Sequence, residues 1–289
     1  MKKTLCMLLL VTICIMMSGC SKSVDNAENS FKLVAIEMDG KTALYDGYNT
    51  SNSADSLQQS IFHDETAPET VTVEFEGKEY TGTYDYSYYD SYRINQGNTY
   101  KLGDMYFSVS AENGKLLGIT LDPELSGDKT LEECRSIAKS VAGKYIDTDK
   151  YNLEEKTGDR LHFYTYKRHL HGQETAEYLS VVVTSNGEIS SFNASMLGSF
   201  DSANLKKNTS IEYVETLCSP KAENIATNKA KSVIGKEQMY KNTEKICLIA
   251  LPDGTVGMAY DINFEKRVPT NEGFVYVESF TKRVLVKEE

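Results

Sequence analysis

The sequence predicts an α+β fold of small tandem modules, each with one helix laid over an antiparallel meander. Three observations carry this reading. Apolar residues recur at the helical period over residues 131–145 and again over 222–234. Each stripe is followed by strand-like alternation, broken by glycine turns. Finally, Ser110-Ala111-Glu112-Asn113-Gly114-Lys115-Leu116 lines up with Val183-Thr184-Ser185-Asn186-Gly187-Glu188-Ile189, as a duplicated unit would.

The first helix opens at Thr130-Leu131-Glu132-Glu133, a capping-box pattern in which hydroxyl and carboxylate satisfy each other's backbone amides. Leu131, Cys134, Ala138, Val141, Ala142 and Tyr145 then share one face. Strands are expected over 151–156, 160–170 and 177–184, then 188–193 after the Asn186-Gly187 turn. The second helix starts at Ser219 as N-cap with Pro220 in the first turn. Its stripe is Ala222, Ile225, Ala226, Ala230, Val233 and Ile234, closed by Gly235. Strands over 245–251, 256–264 and 273–280 follow. Val256, Met258, Tyr260, Ile262 and Phe264 alternate as on a strand with one buried face.

The region before the first helix is rich in strand residues and tyrosine, with only a weak helical pattern at 54–62. A third, fainter copy of the duplicated segment is Glu278-Ser279-Phe280-Thr281-Lys282-Arg283-Val284, with Lys282 where the others have glycine. The expected division is therefore 31–121, a strand-rich, Tyr-rich module, then 128–200 and 209–289. Linkers fall near 122–128 and 198–208.

At the other end, Lys2 and Lys3 precede an apolar run over 5–17. Thirteen helical residues reach about 20 Å, short of a ~30 Å hydrocarbon core, so residues 1–19 read as an export signal. Met17-Ser18-Gly19-Cys20 resembles the lipobox of bacterial lipoproteins; the plainer alternative is an ordinary signal peptide followed by a cysteine. The resemblance implies a diacylglyceryl thioether on Cys20 and a place on the outer face of the bacterial cytoplasmic membrane. Two acyl chains suffice for stable anchoring. Residues 20–30 form a polar tether. Losing Lys2 and Lys3 takes the formal charge from −11 to about −13. Such a balance excludes a sequence-independent grip on nucleic acid and leaves membrane attachment to the acyl chains.

A helix followed by a meander, with Tyr260-Asp261-Ile262 in one strand, resembles the PepSY family. Residues 163–193, with their His-Gly turn, Val-Val-Val strand and Asn-Gly, are similar to the repeat of YcdB/YcdC-type exported proteins. The resemblance implies tandem cystatin-like, PepSY-like modules, one helix packed on a curved antiparallel sheet. It also implies a role in binding peptides or regulating peptidases, and it transfers no catalytic residue.

Cys134, Cys218 and Cys247 remain once the signal and Cys20 are set aside. That count allows one bridge with a free thiol, or none; their apolar settings favour buried, unbridged thiols. His169 and His171, with His162 or His63, could hold a metal, but Gly172 marks an exposed hairpin turn instead. Asp147, Asp149 and Asn152 fail the calcium-loop pattern. No cofactor or hydrolase motif occurs. Tyr84, Tyr86 and Tyr88 alternate onto one face, either a sticky platform or tyrosine in its favoured strand setting. The expectation is a lipid-anchored, non-enzymatic binding protein for peptide or envelope protein. A purely structural envelope lipoprotein is the alternative, and a hydrolase a distant third.

Overall fold

The computed structural model describes residues 31–38, 61–90, 94–205, 208–234, 238–269 and 275–289. The signal segment, Cys20, the tether up to residue 30 and residues 54–60 lie outside them. Ile61–Phe62, the end of the weak helical pattern, is a short strand.

The N-terminal half contributes β1 (Leu33–Glu37), β2 (Ile61–Phe62), β3 (Thr70–Phe75), β4 (Lys78–Tyr89), β5 (Gln96–Leu102), β6 (Met105–Ser110) and β7 (Leu116–Thr120). Then come α1 (Leu131–Ala142), a single 3-10 turn (Thr148–Lys150), β8 (Tyr151–Thr157), β9 (Leu161–Leu170), β10 (Gln173–Thr184) and β11 (Ile189–Ser195). The chain ends with α2 (Ile211–Leu217), α3 (Pro220–Val233), β12 (Gln238–Ala250), β13 (Val256–Pro269) and β14 (Val275–Glu288). The fold is α+β, mostly sheet. All these strands join one open sheet along the path β1-β14-β13-β12-β10-β11-β7-β6-β5-β4-β2, with β3 on β4 and β8–β9 beside β10.

Local chemistry places the helices. Thr130 and Glu133 form the reciprocal capping box. Cys134, Ala138, Val141 and Ala142 are buried against β9 and β10, whereas Leu131 is half exposed. Ser219 caps α3 through the Ala222 amide. That helix buries Ala222, Ala226, Thr227 and Ala230, side chains small enough for a close approach to the sheet. The short α2, capped by Ser210, has no counterpart among the sequence expectations; Tyr213, Val214 and Leu217 give it a buried face of one turn and a half.

Two cores lie on the helix side. One, under α1, runs from Val73 and Phe75 through Tyr100, Phe107, Leu179 and Val181 to Phe192. It spans residues from both the Tyr-rich segment and the one after it. The other, under α2 and α3, takes in Leu217, Leu248, Met258, Tyr260, Phe264 and Val286. Ala176, Cys247, Ile249, Ala259 and Leu285 form a smaller cluster on the opposite side of the sheet. Strand β13 is thus buried on both faces, not one. Beside Ala259, Asp261 meets its cross-strand partner Arg283 in a nearly buried fork, Nε to Oδ1 and Nη2 to Oδ2 both 2.6 Å.

Other departures are long-range. Residues 33–37, grouped by sequence with the Tyr-rich segment, pair instead with β14 at the far end of the sheet. Both aligned segments do carry a glycine turn, at Gly114 (φ +69°) and Gly187 (φ +90°). Residues 278–284, the third copy, run straight inside β14, with Lys282 opposite Ile262 and no turn.

The halves of the sheet meet at β10. Its pairing with β9 breaks between Glu174 and Tyr178, and Thr175 there pairs in parallel with Leu248 of β12. Glu177, 1% exposed, accepts hydrogen bonds from the amides of Gly198 (2.9 Å) and Phe200 (3.0 Å) and from the Tyr151 hydroxyl. A buried carboxylate is tolerated only with such partners.

Tyr213, 1% exposed, donates to the Val256 carbonyl (2.7 Å) and accepts from the Glu288 amide (3.0 Å). Burial pushes its phenol up to about 12, and does the same for Tyr164. The unfolded phenol ionises near pH 10. Because the folded value is raised, this stability is complete below pH 10 and lost as the pH climbs to about 12. The melting temperature should therefore fall across that window, and Tyr213→Phe should flatten the fall; a pH-independent melting temperature would contradict the assignment.

Candidate binding face

Strand β4 decides where the tyrosines go. Asp85 is an extra residue in β4: Tyr84 stands opposite Tyr100, while Tyr86 stands opposite Thr99. Such a bulge reverses the alternation that follows it. Tyr84, Tyr86 and Tyr88 therefore do not share a face, as strict alternation would have it. Tyr84 turns to the helix side, its ring edge-on to Tyr100 at 5.9 Å. There its hydroxyl accepts from the Asp64 amide (2.8 Å) and bonds Ser87 Oγ (2.9 Å), which donates to Asn98 Oδ1 (2.8 Å). Tyr84 is part of the wall, not of an open platform.

Tyr86 and Tyr88 point to the opposite side, away from the helices, their rings 6.5 Å apart. Tyr88 lies across Gly97, where a Cβ would fall 2.5 Å from the ring. Glycine is required there so that the phenol can lie flat on the strand. Burial pushes the Tyr88 phenol pKa up, and neighbouring Ser108 offsets only part of the rise. Beyond it the floor is small and polar: Thr99 bonds Ser108 (3.0 Å), and Ser108, Gly118 and Asn193 follow one another across β6, β7 and β11. The far wall is Tyr178, whose hydroxyl accepts from Asn193 Nδ2 (3.4 Å) and whose pKa burial also raises. Tyr178 adds a little to the rise in the Tyr88 pKa, although their strands lie five steps apart in the sheet. Tyr106 (37% exposed) and Ile61 (63% exposed) complete the rim.

Neutral phenols around a floor of hydroxyls, amide and glycine can bond a peptide backbone and cover apolar side chains. Sequence reading missed Tyr178 and Ile61. Their only signal is register, which appears once β4 and β10 are seen on one sheet.

The remaining candidates do not gather. His162 is buried beside Ser185 Oγ (3.3 Å), His169 touches Asn152 Nδ2 (3.2 Å), His171 reaches the Thr209 carbonyl (2.7 Å), and the His63 ring lies against Tyr84. His171 (φ +49°) and Gly172 (φ +82°) form the two-residue hairpin turn between β9 and β10. Among the described residues, no three His, Cys, Asp or Glu side chains are placed to hold a metal ion. Cys134 and Cys247 are buried and Cys218 half-buried, all unbridged. Asp147 pairs with Lys150 across the 3-10 turn.

No known family matches the chain, and no curated protein matches it either. Among solved structures it is similar to the C-terminal domain of YpeB from Bacillus megaterium, at 12% identity over 77% of this chain and 90% of that one, with a TM-score of 0.30. An uncharacterized protein from Eubacterium rectale is similar at 10% identity over 75% of this chain and 72% of that one, TM-score 0.27. Both superpose too loosely to bear on function.

Gly97→Ala should push the Tyr88 ring off β5 and cost about 1–3 kcal/mol, as overpacking does. A denaturation midpoint equal to that of the wild type would show that the ring does not lie there.

Proposed function

We propose that the chain is a lipid-anchored binding protein that takes a peptide segment of a protein partner on the tyrosine face. What supports this reading is the placement of Tyr86, Tyr88 and Tyr178 around a small-residue floor on the side of the sheet opposite the helices. The partner segment is extended, because a floor of glycine and short hydroxyls admits a backbone, and basic, because the chain carries a formal charge of −11. Lysine or arginine on that segment would meet phenol faces, a favourable contact for a cation. In this reading Cys20 carries the diacylglyceryl anchor, the protein stands on the outer face of the cytoplasmic membrane, and its helix-over-sheet units are divergent PepSY-like modules. No helix among the described residues is long and apolar enough to cross a membrane.

Capture from envelope extracts by the full chain in detergent, compared with Tyr86→Ala/Tyr88→Ala, tests the face. Losing two aromatic anchors should weaken a saturable partner by about 2–4 kcal/mol. Equal capture by both forms would remove the face from the account. Cys20→Ala should move the protein out of the detergent phase; unchanged partitioning would remove the anchor.

A further inference from the structure

On the helix side, a separate cavity of about 100 Å³ opens between the end of α1 and the loop after β11. Tyr145 and Ile146 follow α1, Tyr151 begins β8, Arg168 comes from β9, and Gly198 and Asp201 come from the loop. We infer that this cavity binds a small zwitterion, an α-amino acid of glycine or alanine size, held between Arg168 and Asp201.

Arg168 and Asp201 each lack an ion-pair partner among the described residues. Arg168 lies over the Tyr151 ring, its Cζ 5.5 Å from the centroid, and makes one long contact from Nη1 to the Lys150 carbonyl (3.4 Å). Among the described residues it has no carboxylate within 4.0 Å, so most of its five-donor fork has no protein partner. Asp201, on the loop, likewise pairs with no cation among the described residues, although it and Arg168 both act on the Tyr151 phenol. The other two charges at the rim, Lys150 and Asp147, pair with each other. An arginine and an aspartate lining one cavity without touching leave a gap that a ligand bearing both charges would close. Its carboxylate would accept the guanidinium fork and its ammonium would donate to Asp201.

The walls are held in advance. Tyr151 is tied to Glu177, and Glu177 also holds the Gly198 amide, so both sides of the cavity hang on one buried carboxylate. Gly198 at φ +78° gives the loop its turn there. Tyr145 is braced by Phe192, ring centroids 4.6 Å apart. A pre-built wall lowers the ordering cost of a ligand. The volume sets the size limit: it lies far below the ~300–1,000 Å³ of a drug-sized site, so a bulky side chain does not fit.

The site is independent of the tyrosine face. Its test is saturation-transfer NMR on the full chain in detergent, with glycine as the probe and acetate and methylammonium as single-charge controls. Saturable glycine binding is expected with a dissociation constant on the order of 1 mM, and each control should bind at least about tenfold more weakly. Asp201→Asn, a change at an exposed side chain, should weaken glycine about tenfold without moving the melting temperature, and Arg168→Gln should abolish binding. Absence of saturable glycine binding overturns the inference. So does acetate binding as well as glycine with Asp201→Asn neutral, since that pattern describes a plain anion site.

Discussion

The Glu177 carboxylate is the constraint on which the rest depends. It is buried in β10 where that strand leaves β9 and pairs, through Thr175, with Leu248 of β12. Three donors reach it, two of them amides of the 196–205 loop that carries the chain from one core toward the next. A carboxylate inside a protein costs several kcal/mol unless its lone pairs are occupied. Here the same hydrogen bonds that satisfy the charge also shape the loop, position Tyr151 and tether Phe200, a residue of the second core, to β10. Thr175 reinforces the break, donating to the Arg168 carbonyl (3.0 Å) and accepting from the Glu177 amide (3.2 Å).

Much of the local structure was legible because its causes are local. The Thr130 and Glu133 capping box, the Ser219-Pro220 start and the glycine turns at 114, 172 and 187 each depend on neighbours in sequence, and each is where the pattern puts it. Helix α2 was hidden because seven residues hold too few periods to show a stripe. Strand β13 read as one-faced because Ala259, Asp261 and the glycine between Val256 and Met258 look like polar or small outward positions. In fact they are covered, Asp261 by pairing with Arg283.

The tyrosine face was only half legible, and the reason is a single inserted residue. Tyrosine alternation in β4 is plain in the sequence, but the extra Asp85 that splits Tyr84 from Tyr86 is set by pairing with β5. Tyr178 joins the face from a strand ninety residues later, a contact that only sheet order creates. The pairing of β1 with β14 is of the same kind. It puts the first described strand at one end of the sheet path and β4 near the other.

Amide hydrogen exchange on the Glu177→Gln variant measures the Glu177 hydrogen bonds most directly. Loss of the charge should speed exchange at Gly198, Phe200 and the Thr175–Leu248 junction by about tenfold or more while the interior of α1 stays protected. Unchanged protection at Gly198 and Phe200 would contradict the account, because the loop and its tether to β10 would then stand without that carboxylate.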